Sequence, residues 1–458
     1  MPARSGHAPV RKSRGMKNWL EANEIVEVEC VVADSSGIAR GKILPIDKFL
    51  GALAGNDLRL PRNLFFQTVT GEWPEAEAGD PTEPDMILRP DPTTLRRLPW
   101  YDYAAAQVIN DCLDGDGTLV DIAPRTVLRR VLEQYDNRGW RPVVAPELEF
   151  YLVARNTDPS QPLCPPKGRS GRAENTGQAF GIDATNDFDP VIEEIYEACE
   201  AQELAIDSLM HEVGPAQFEI NFLHGDPLAL ADRAFLFKRT VREAAHRHDL
   251  HATFMATPMA GQPGSAMHLH QSVVDNQTGI SLFAEASGRD SALFAAHIAG
   301  LQKFLPAAMA MLAPNVNSYR RLHRHEDSPI NTQWGRDNRT VGLRVPGAAA
   351  ADRRVENRVP GADANPYLAI AASLACGYLG MIDGLGPSRE CTGSAYDKPF
   401  TLPRTLPEAL TKLTRSKPLR DVLGSGFIDA LITIKQAEHD AYQSVVSSWE
   451  REHLLLNV

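Results

Sequence analysis

The chain has 458 residues and a formal net charge of −12, with 43% hydrophobic and 23% charged residues. This composition is typical of a soluble globular protein, and the acidic balance argues against a nucleic-acid binder, which needs a basic surface. The length exceeds one ordinary hydrophobic core and favours two domains. The six cysteines show no CxxC spacing, so neither a disulfide framework nor a structural zinc site is indicated.

The N-terminal part predicts a short leader followed by a small β-containing domain. Residues 1–14 are basic and rich in small residues, which predicts a disordered leader, and no apolar run follows them to form a signal peptide. Two β-rich runs flank the turn Ser35-Ser36-Gly37 and predict a hairpin. We therefore assign residues 15–120 to an N-terminal domain.

After Pro124 the pattern changes to helices that alternate with strands, which predicts a larger α+β domain over residues 121–458. The segment from Asn156 to Asn186 is long for a loop in a compact domain, and such loops are often functional lids. The apolar stretch Phe304–Pro314 is too short to span a bilayer and contains Pro306. No membrane role is predicted, and a cytoplasmic location is expected. Helices are predicted over 125–138, 189–203 and 230–248.

Glutamates and histidines recur at a spacing of two residues in the predicted strands. Glu147 and Glu149 in PELEF would point to one face of a strand, and His268 repeats this spacing with a second histidine. Gly214-Pro215 interrupts two extended runs, as the turn of a hairpin would. The carboxylates that flank this turn and the one in VENR complete a candidate set of ligands: Glu147, Glu149, Glu212, Glu219, His268 and Glu356.

This candidate set predicts a site for a hard divalent cation. Oxygen dominates the ligands, which favours Mg²⁺ or Mn²⁺, whereas zinc would more often recruit cysteine or several histidines. So many carboxylates on neighbouring strands would also repel one another without a cation. A pair of carboxylates on one strand is more often a solvated face, so the prediction depends on all four segments together.

The segments PELEF, HEVGPAQFE, GSAMHLHQS, NSYRRL, NRTVGLRVP, VENR and ANPY occur in this order, and together they resemble the glutamine synthetase family from about residue 25 to the end. The resemblance implies a small N-terminal β-grasp domain and a larger catalytic domain with a curved antiparallel sheet and helices. It also implies ATP, two divalent ions, L-glutamate as the acyl substrate, and a homo-oligomer, a dodecamer of two stacked hexameric rings.

The same resemblance implies roles for individual residues. One metal ion falls to Glu149, Glu212 and Glu219, and the second falls to Glu147, His268 and Glu356. The residues that resemble nucleotide contacts are His270, Ser272, Arg344 and Arg354. Those that resemble contacts to glutamate and the transferring phosphoryl group are Gly264, Arg321, Arg339 and Arg358. Asp327 occupies the position of the family's flap glutamate and Glu326 precedes it, so either carboxylate is a candidate to handle the proton of the amine.

Departures from the family pattern bear on the nucleophile. Ammonia-using members carry an Asp-Gly-Ser-Ser loop where this chain has FFQTVTGEW between Phe65 and Trp73, and a Gly-Tyr-Phe element where it has GQAFG over 177–181. The loss of these polar groups should leave room for a larger amine. The resemblance is therefore to the γ-glutamylpolyamine synthetase branch, and putrescine is the predicted amine. The alternatives are an ammonia-dependent glutamine synthetase, and a non-catalytic scaffold or nitrogen sensor, which would have damaged ligand positions.

Overall fold

The computed structural model describes residues 8–55, 57–74, 84–323 and 328–458. This part of the chain is an α+β structure with two β-sheets, and helices lie before, between and after the strands. The fourteen strands are β1 Glu27–Ala33, β2 Ala39–Pro45, β3 Arg59–Pro61, β4 Asp85–Pro90, β5 Arg96–Leu98, β6 Ala105–Leu113, β7 Trp140–Ala154, β8 Ile206–His211, β9 Gln217–Phe222, β10 Leu250–Thr253, β11 Met267–Asp275, β12 Trp334–Arg336, β13 Leu343–Val345 and β14 Val355–Asn357.

The described residues also form twelve α-helices, two of which begin at a proline that follows a capping side chain. The helices are α1 Ala8–Ala22, α2 Ile46–Gly55, α3 Pro124–Asp136, α4 Ile182–Asp187, α5 Asp189–Ala201, α6 Pro227–Arg247, α7 Ala292–Leu312, α8 Pro366–Asp383, α9 Leu406–Arg415, α10 Lys417–Leu423, α11 Ser425–Gln443 and α12 Ser448–Leu454. The predictions of α3, α5 and α6 are confirmed to within three residues at each end.

The first sheet has six strands in the order β2-β1-β6-β4-β3, with β5 also paired to β6. The predicted hairpin is confirmed, because β1 and β2 pair antiparallel with Val28 opposite Leu44. Gly37 takes a φ of +77° in its turn, a conformation that costs other residues energy. Residues 8–14, which the sequence assigned to a disordered leader, form the first half of the α1 backbone instead, while residues 1–7 lie outside the described part.

The second sheet has eight strands in the order β12-β13-β14-β11-β7-β9-β8, with β10 also paired to β7. It is antiparallel apart from the edge pair β12 and β13. The central strand β7 has 15 residues, and it turns Leu148 and Phe150 into the main apolar core under the helices. The opposite face of β7 therefore carries Glu147 and Glu149, as the alternation predicts.

The two longest apolar helices, α7 and α8, pack against each other in the main core. The sequence predicted that the apolar stretch around Pro306 is too short to span a bilayer. The helix that contains it is longer than predicted, because α7 has 21 residues and continues through the proline. Pro306 has no N–H to donate to the carbonyl of Gln302, and the Thr332 hydroxyl donates to that carbonyl instead, at 3.1 Å.

By length and composition both α7 and α8 could cross a membrane, but 61% and 89% of their apolar windows are buried inside the protein. This degree of burial is typical of core helices, which pass the same test of length and composition.

Glycines set the close approach of these two helices and provide a test of stability. A Cβ on Gly300 would lie 2.7 Å from the Cα of Gly380, so the backbones leave no space for a side chain. We expect Gly380→Ala to lower the free energy of unfolding by about 1 to 2 kcal/mol, because an overpacking cost of up to about 3 kcal/mol outweighs the gain of about 1 kcal/mol from helix propensity. Gly51→Ala is the matched control, since a Cβ at this helical glycine has no neighbour within 4 Å. Equal melting temperatures for the two variants would contradict the close approach.

Buried polar contacts connect the first sheet to the rest of the chain. Arg125 at the start of α3 pairs with Asp91 and Asp232, both at 2.8 Å, and the Asn365 amide donates to the Asp34 carbonyl. The expected boundary near residue 120 lies between β6 and α3. The division into domains at that boundary stays a prediction, because Ile109 of the first sheet also belongs to the main core.

Candidate functional site

The candidate ligands lie on one face of the second sheet, and strand pairing brings them into register. Glu147 is paired with His268 across β7 and β11, and Glu149 is paired with Glu219 across β7 and β9. On the other side of β11, Glu356 of β14 is paired with the second histidine of the strand. Neighbouring strands are about 4.8 Å apart, so paired side chains on one face are within reach of one cation.

Glu212 lies one residue beyond β8, in the turn of the predicted hairpin. Its N–H donates to the carbonyl of Gln217 at 2.8 Å, which closes the turn around Gly214-Pro215. The hairpin itself is confirmed by the antiparallel pairing of β8 and β9. Glu212 is therefore at the end of the sheet beside Glu149. Burial raises the pKa of Glu149, and the charge of Glu212 raises it further.

Glu147 is at the centre of the cluster. Its carboxylate lies 2.7 Å from Nε2 of His270 and 3.4 Å from Nδ1 of His268. Two groups place one potential ligand atom per residue within 4.8 Å of one another, namely Glu147, His270 and Glu356, and Glu147, Glu219 and His268. His270, which the resemblance assigned to the nucleotide, thus also contacts the predicted ligands. Arg354 donates to its Nδ1 at 3.1 Å, so Nε2 carries the proton that faces Glu147.

Burial makes three of the carboxylates hard to ionise. It raises the pKa of Glu149 to about 8 and that of Glu219 to about 9, and neighbouring glutamates add to both shifts. Burial also raises the pKa of Glu212. Each of these carboxyl groups loses its proton more easily when a cation is present. The donor set of oxygens and imidazoles, with the buried and unpartnered Oδ1 of Asn221 beside it, fits a hard divalent ion.

Glu356 is already paired with positive charge. Burial would raise its pKa, but Arg358 and the nearby histidines lower it to about 2. Its two oxygens accept from Arg344 at 2.7 Å and from Arg358 at 2.6 Å. A buried carboxylate with two guanidinium partners keeps those arginines in a fixed orientation.

The other predicted arginines surround the same face. Arg321 is buried, donates to the carbonyl of Val359 and has a pKa lowered by burial to about 10. Arg339 is exposed, and its charge acts on Glu212. Gly264 lies directly under Arg321, because a Cβ there would lie 2.8 Å from its Cδ and 2.6 Å from the carbonyl oxygen of Ala256.

Gln217 is a residue that the list of candidates from the sequence omits. Its amide donates to the carbonyl of Gly264 at 3.0 Å and lies 3.4 Å from Glu149, while its oxygen accepts from the N–H of Gly214. It therefore connects the hairpin to the segment that underlies Arg321. The signal was present in the sequence, since Gln217, Glu219 and Asn221 alternate on one face of β9.

A cavity of about 790 Å³ adjoins the cluster on the side of β11. Of the four residues that resemble nucleotide contacts, His270, Ser272 and Arg354 line it, together with Glu147, Asn221 and Arg141. Arg344 contacts Glu356 and Asp337 instead. Asn221 and Arg141 are further lining residues that the list of candidates from the sequence omits.

Two candidates from the sequence, Glu326 and Asp327, lie outside the described residues.

The loop of residues 65–73, where the sequence predicts a changed amine pocket, is attached to two other parts of the chain. Phe66 packs against the core of the first sheet, and the N–H of Val69 donates to Glu438 of α11 at 2.7 Å. Glu438 is paired with the buried Lys435 at 2.8 Å, so this loop is attached to the C-terminal helices.

The raised pKa values predict that a divalent ion stabilises the protein most at high pH. The folded state binds more protons than the unfolded state between the ordinary pKa of 4.5 and the values of about 8 and 9, so metal-free stability falls as pH rises through this window. An ion at 100 times its Kd contributes about 2.7 kcal/mol. We expect the rise in melting temperature on replacing EDTA with MgCl₂ to be larger at pH 9 than at pH 6, and to shrink in Glu219→Gln. An equal rise at both pH values would contradict the shifts.

Comparisons with known proteins agree with this geometry. The family model described as glutamine synthetase, catalytic domain, matches residues 121–454. The γ-glutamylputrescine synthetase of Escherichia coli strain K12 is 36% identical over 96% of this chain and 94% of its own length. The glutamate–isopropylamine ligase of a Pseudomonas species is 31% identical over 95% of this chain and 96% of its own. A solved structure titled apo GmaS without ligand superimposes with a TM-score of 0.81 at 28% identity and covers 95% of this chain and 98% of its own.

Proposed function

This chain belongs to the glutamine synthetase family, and on that basis we propose that it is an ATP-dependent ligase that joins the γ-carboxylate of L-glutamate to a primary amine of a polyamine, with putrescine preferred. Two observations together carry the proposal. The carboxylate, histidine and arginine positions are complete, and the sequence differs from that of ammonia-using members at residues 65–73 and 177–181. The relatives that act on putrescine and isopropylamine according to their names support the same choice.

Family members use ATP and a divalent metal, and we propose Mg²⁺ or Mn²⁺ here. Glu149, Glu212 and Glu219 would hold one ion, and Glu147, His268 and Glu356 the other. When bound, the ions would neutralise charge on the phosphates of ATP. Strand pairing fixes the backbone positions of these residues apart from Glu212, which lies in the hairpin turn. His270, Ser272, Arg344 and Arg354 are the proposed nucleotide contacts.

The proposed reaction has two steps that the arginines of this site suit. An oxygen of the glutamate γ-carboxylate attacks the γ-phosphorus of ATP, so that an acyl phosphate forms and ADP leaves. The amine nitrogen then attacks the acyl carbon, phosphate leaves and the nitrogen loses a proton. Phosphoryl transfer needs positioning and charge neutralisation more than covalent chemistry. Planar, permanently charged guanidinium groups supply both, and we assign this role to Arg321, Arg339 and Arg358, with Gly264 beneath them.

The amine must lose a proton before it attacks. An alkylammonium has a pKa near that of lysine, so presenting the free amine at pH 7 costs about 4 to 5 kcal/mol. A nearby carboxylate can bind the cation and accept its proton, and Glu326 and Asp327 are the candidates. We also propose that the enzyme is cytoplasmic and works as a homo-oligomer of stacked rings.

Steady-state phosphate release with glutamate, ATP and a panel of amines tests the proposal. We expect the highest kcat/KM for putrescine, with cadaverine and spermidine following and ammonium lowest. A higher kcat/KM for ammonium would favour an ordinary glutamine synthetase. Metal-loaded protein that releases no phosphate with any amine would favour the non-catalytic scaffold.

A further inference from the structure

Residues 359–364, which follow β14, contact the proposed glutamate side of the site, and we call them the backing segment. The guanidinium group of Arg321 donates to the carbonyl of Val359. The N–H of Ala362 donates to the carbonyl of Ser265 at 3.0 Å, one residue beyond the glycine that lies under the arginine. The backing segment therefore supports both the arginine and the chain beneath it.

The backing segment also holds the turn that precedes Arg321. One oxygen of Asp363 accepts from the Asn315 amide at 2.8 Å and from the Ser318 hydroxyl at 2.6 Å. The N–H of Arg321 in turn donates to the carbonyl of Ser318 at 3.2 Å. The backbone and the guanidinium group of Arg321 are thus both attached to the backing segment.

The proposed metal ligands have a different kind of support. His268 and Glu356 lie in strands, and pairing with neighbouring strands fixes their backbone positions. Arg321 follows the short 3-10 turn Ser318–Arg320 and lies in no strand. Its position therefore depends on the backing segment more than the positions of these ligands do.

A lysine of α6 holds the same segment. The Nζ of Lys238 donates to the carbonyl of Ala362 at 2.6 Å and to that of Ala364 at 2.8 Å, the two residues that flank Asp363. Within the described part of the chain, both hydrogen bonds of this ammonium group go to backbone carbonyls rather than to a carboxylate. Lys238 thus fixes the backbone on both sides of Asp363.

A buried lysine at this position is unfavourable for folding. Lys238 is 6% exposed, and burial lowers its pKa to about 7, to which the charge of Arg242 contributes. Burying a cation without a carboxylate partner costs more than burying an apolar side chain of similar size. What an apolar side chain could not supply is the pair of hydrogen bonds to the backing segment.

We propose that Lys238 is a positioning residue for the glutamate side of the site, and that it acts through the backing segment to set the position of Arg321. This inference rests on the proposed function, because that function assigns Arg321 to glutamate. The affinity for glutamate should then depend on Lys238, although α6 carries none of the proposed metal ligands or substrate contacts.

Lys238→Met tests this role, because methionine has a similar length and donates no hydrogen bond. We expect KM for glutamate to rise about tenfold, less than the roughly 100-fold effect of a displacement of about 1 Å, since Ser265 still holds the backing segment. KM for ATP should change less than about twofold, because no residue of the backing segment lines the cavity beside β11. Equal rises in both KM values would indicate a merely structural role and overturn the assignment.

Lys238→Gln carries the test if Lys238→Met does not fold. The amide can donate to one of the two carbonyls, so we expect a KM for glutamate that lies above the wild-type value and below that of Lys238→Met. If only Lys238→Gln folds, a wild-type KM for glutamate would overturn the proposal.

Lys435→Met is the matched control, because it removes another buried lysine, which pairs with Glu438 of α11 at 2.8 Å. It should lower the melting temperature without raising KM for glutamate. A rise in KM equal to that of Lys238→Met would show that the loss of any buried lysine has this effect, and would overturn the assignment.

A double-mutant cycle with Arg321→Lys tests whether Lys238 acts through Arg321. In the Arg321→Lys background we expect Lys238→Met to raise KM for glutamate by less than about twofold, because two changes that act through one group are not additive. Arg321→Lys suits the cycle because it keeps the charge and removes the planar donor group. A rise of about tenfold in this background as well would show independent effects and overturn the proposed route.

The wild type separates failure of this inference from failure of the proposed function. If the wild type releases phosphate with glutamate and an amine but the Lys238 variants keep its KM for glutamate, only the role of Lys238 fails. If the wild type releases no phosphate with any amine, the proposed function fails. The rise in melting temperature on adding glutamate then tests Lys238 by binding alone, and an equal rise in the wild type and Lys238→Met would overturn its role.

Discussion

Glu356→Gln is expected to lower kcat for amine-dependent phosphate release by about 1000-fold while KM for the amine changes little. The substitution removes one anionic oxygen from the proposed metal site and weakens charge neutralisation at the transferring phosphoryl group, which is worth several kcal/mol. It also weakens the pairing with Arg344 and Arg358, which hold the carboxylate at 2.7 and 2.6 Å. Steady-state kinetics at saturating Mg²⁺ and Mn²⁺ would measure the effect.

Glutamine is the informative replacement because alanine would confound the result. Glu356 is 1% exposed, and alanine would remove the carboxylate that both Arg344 and Arg358 contact. Removing one partner of a buried ion pair costs about 3 to 5 kcal/mol of stability, so Glu356→Ala would lose activity partly through unfolding. Glu390→Gln is the control, since this glutamate also accepts from an arginine, Arg336, but at the edge of the sheet. Near-normal kcat in Glu356→Gln would remove Glu356 from the metal site.

Gly264→Ala is expected to lower kcat/KM for glutamate by about 100-fold, because a displacement of about 1 Å in a substrate-positioning group has that effect. The added Cβ would meet the Ala256 carbonyl at 2.6 Å and the Arg321 side chain at 2.8 Å. The clash with the backbone carbonyl requires residue 264 to shift, and the clash with Arg321 requires the arginine to move as well. KM for ATP should change much less than KM for glutamate.

Gly386→Ala provides the matched control, because a Cβ at this loop glycine has no neighbour within 4 Å. Circular dichroism and the melting temperature would show whether Gly264→Ala folds. A folded Gly264→Ala protein with wild-type kcat/KM for glutamate would contradict the proposed role of Arg321.

The face of the candidate site could be predicted from alternation alone. Glu147 with Glu149, and His268 with its second histidine, have the spacing that sends both side chains to one face of a strand, and the structure places them there. Gly214-Pro215 likewise indicated the hairpin that carries Glu212 and Glu219. These signals are local, because a period of two residues depends only on the backbone of one strand.

The contacts between segments could not be predicted in this way. The approach of His270 to Glu147 depends on the register of β11 against β7, and the contact between Glu174 and His211 joins residues 37 positions apart. The continuation of α7 through Pro306 depends on a hydroxyl from Thr332, in another segment. Each of these features is set by a tertiary partner, and no pattern within the segment itself reports that partner.

The identity of the nucleophile is tested most directly by competition. The protein would be supplied with glutamate, ATP, Mg²⁺ and equal concentrations of putrescine and ammonium, and the products would be identified by mass spectrometry. We predict that the γ-glutamyl adduct of putrescine predominates and that one phosphate is released for each adduct formed. Glutamine as the main product would contradict the account.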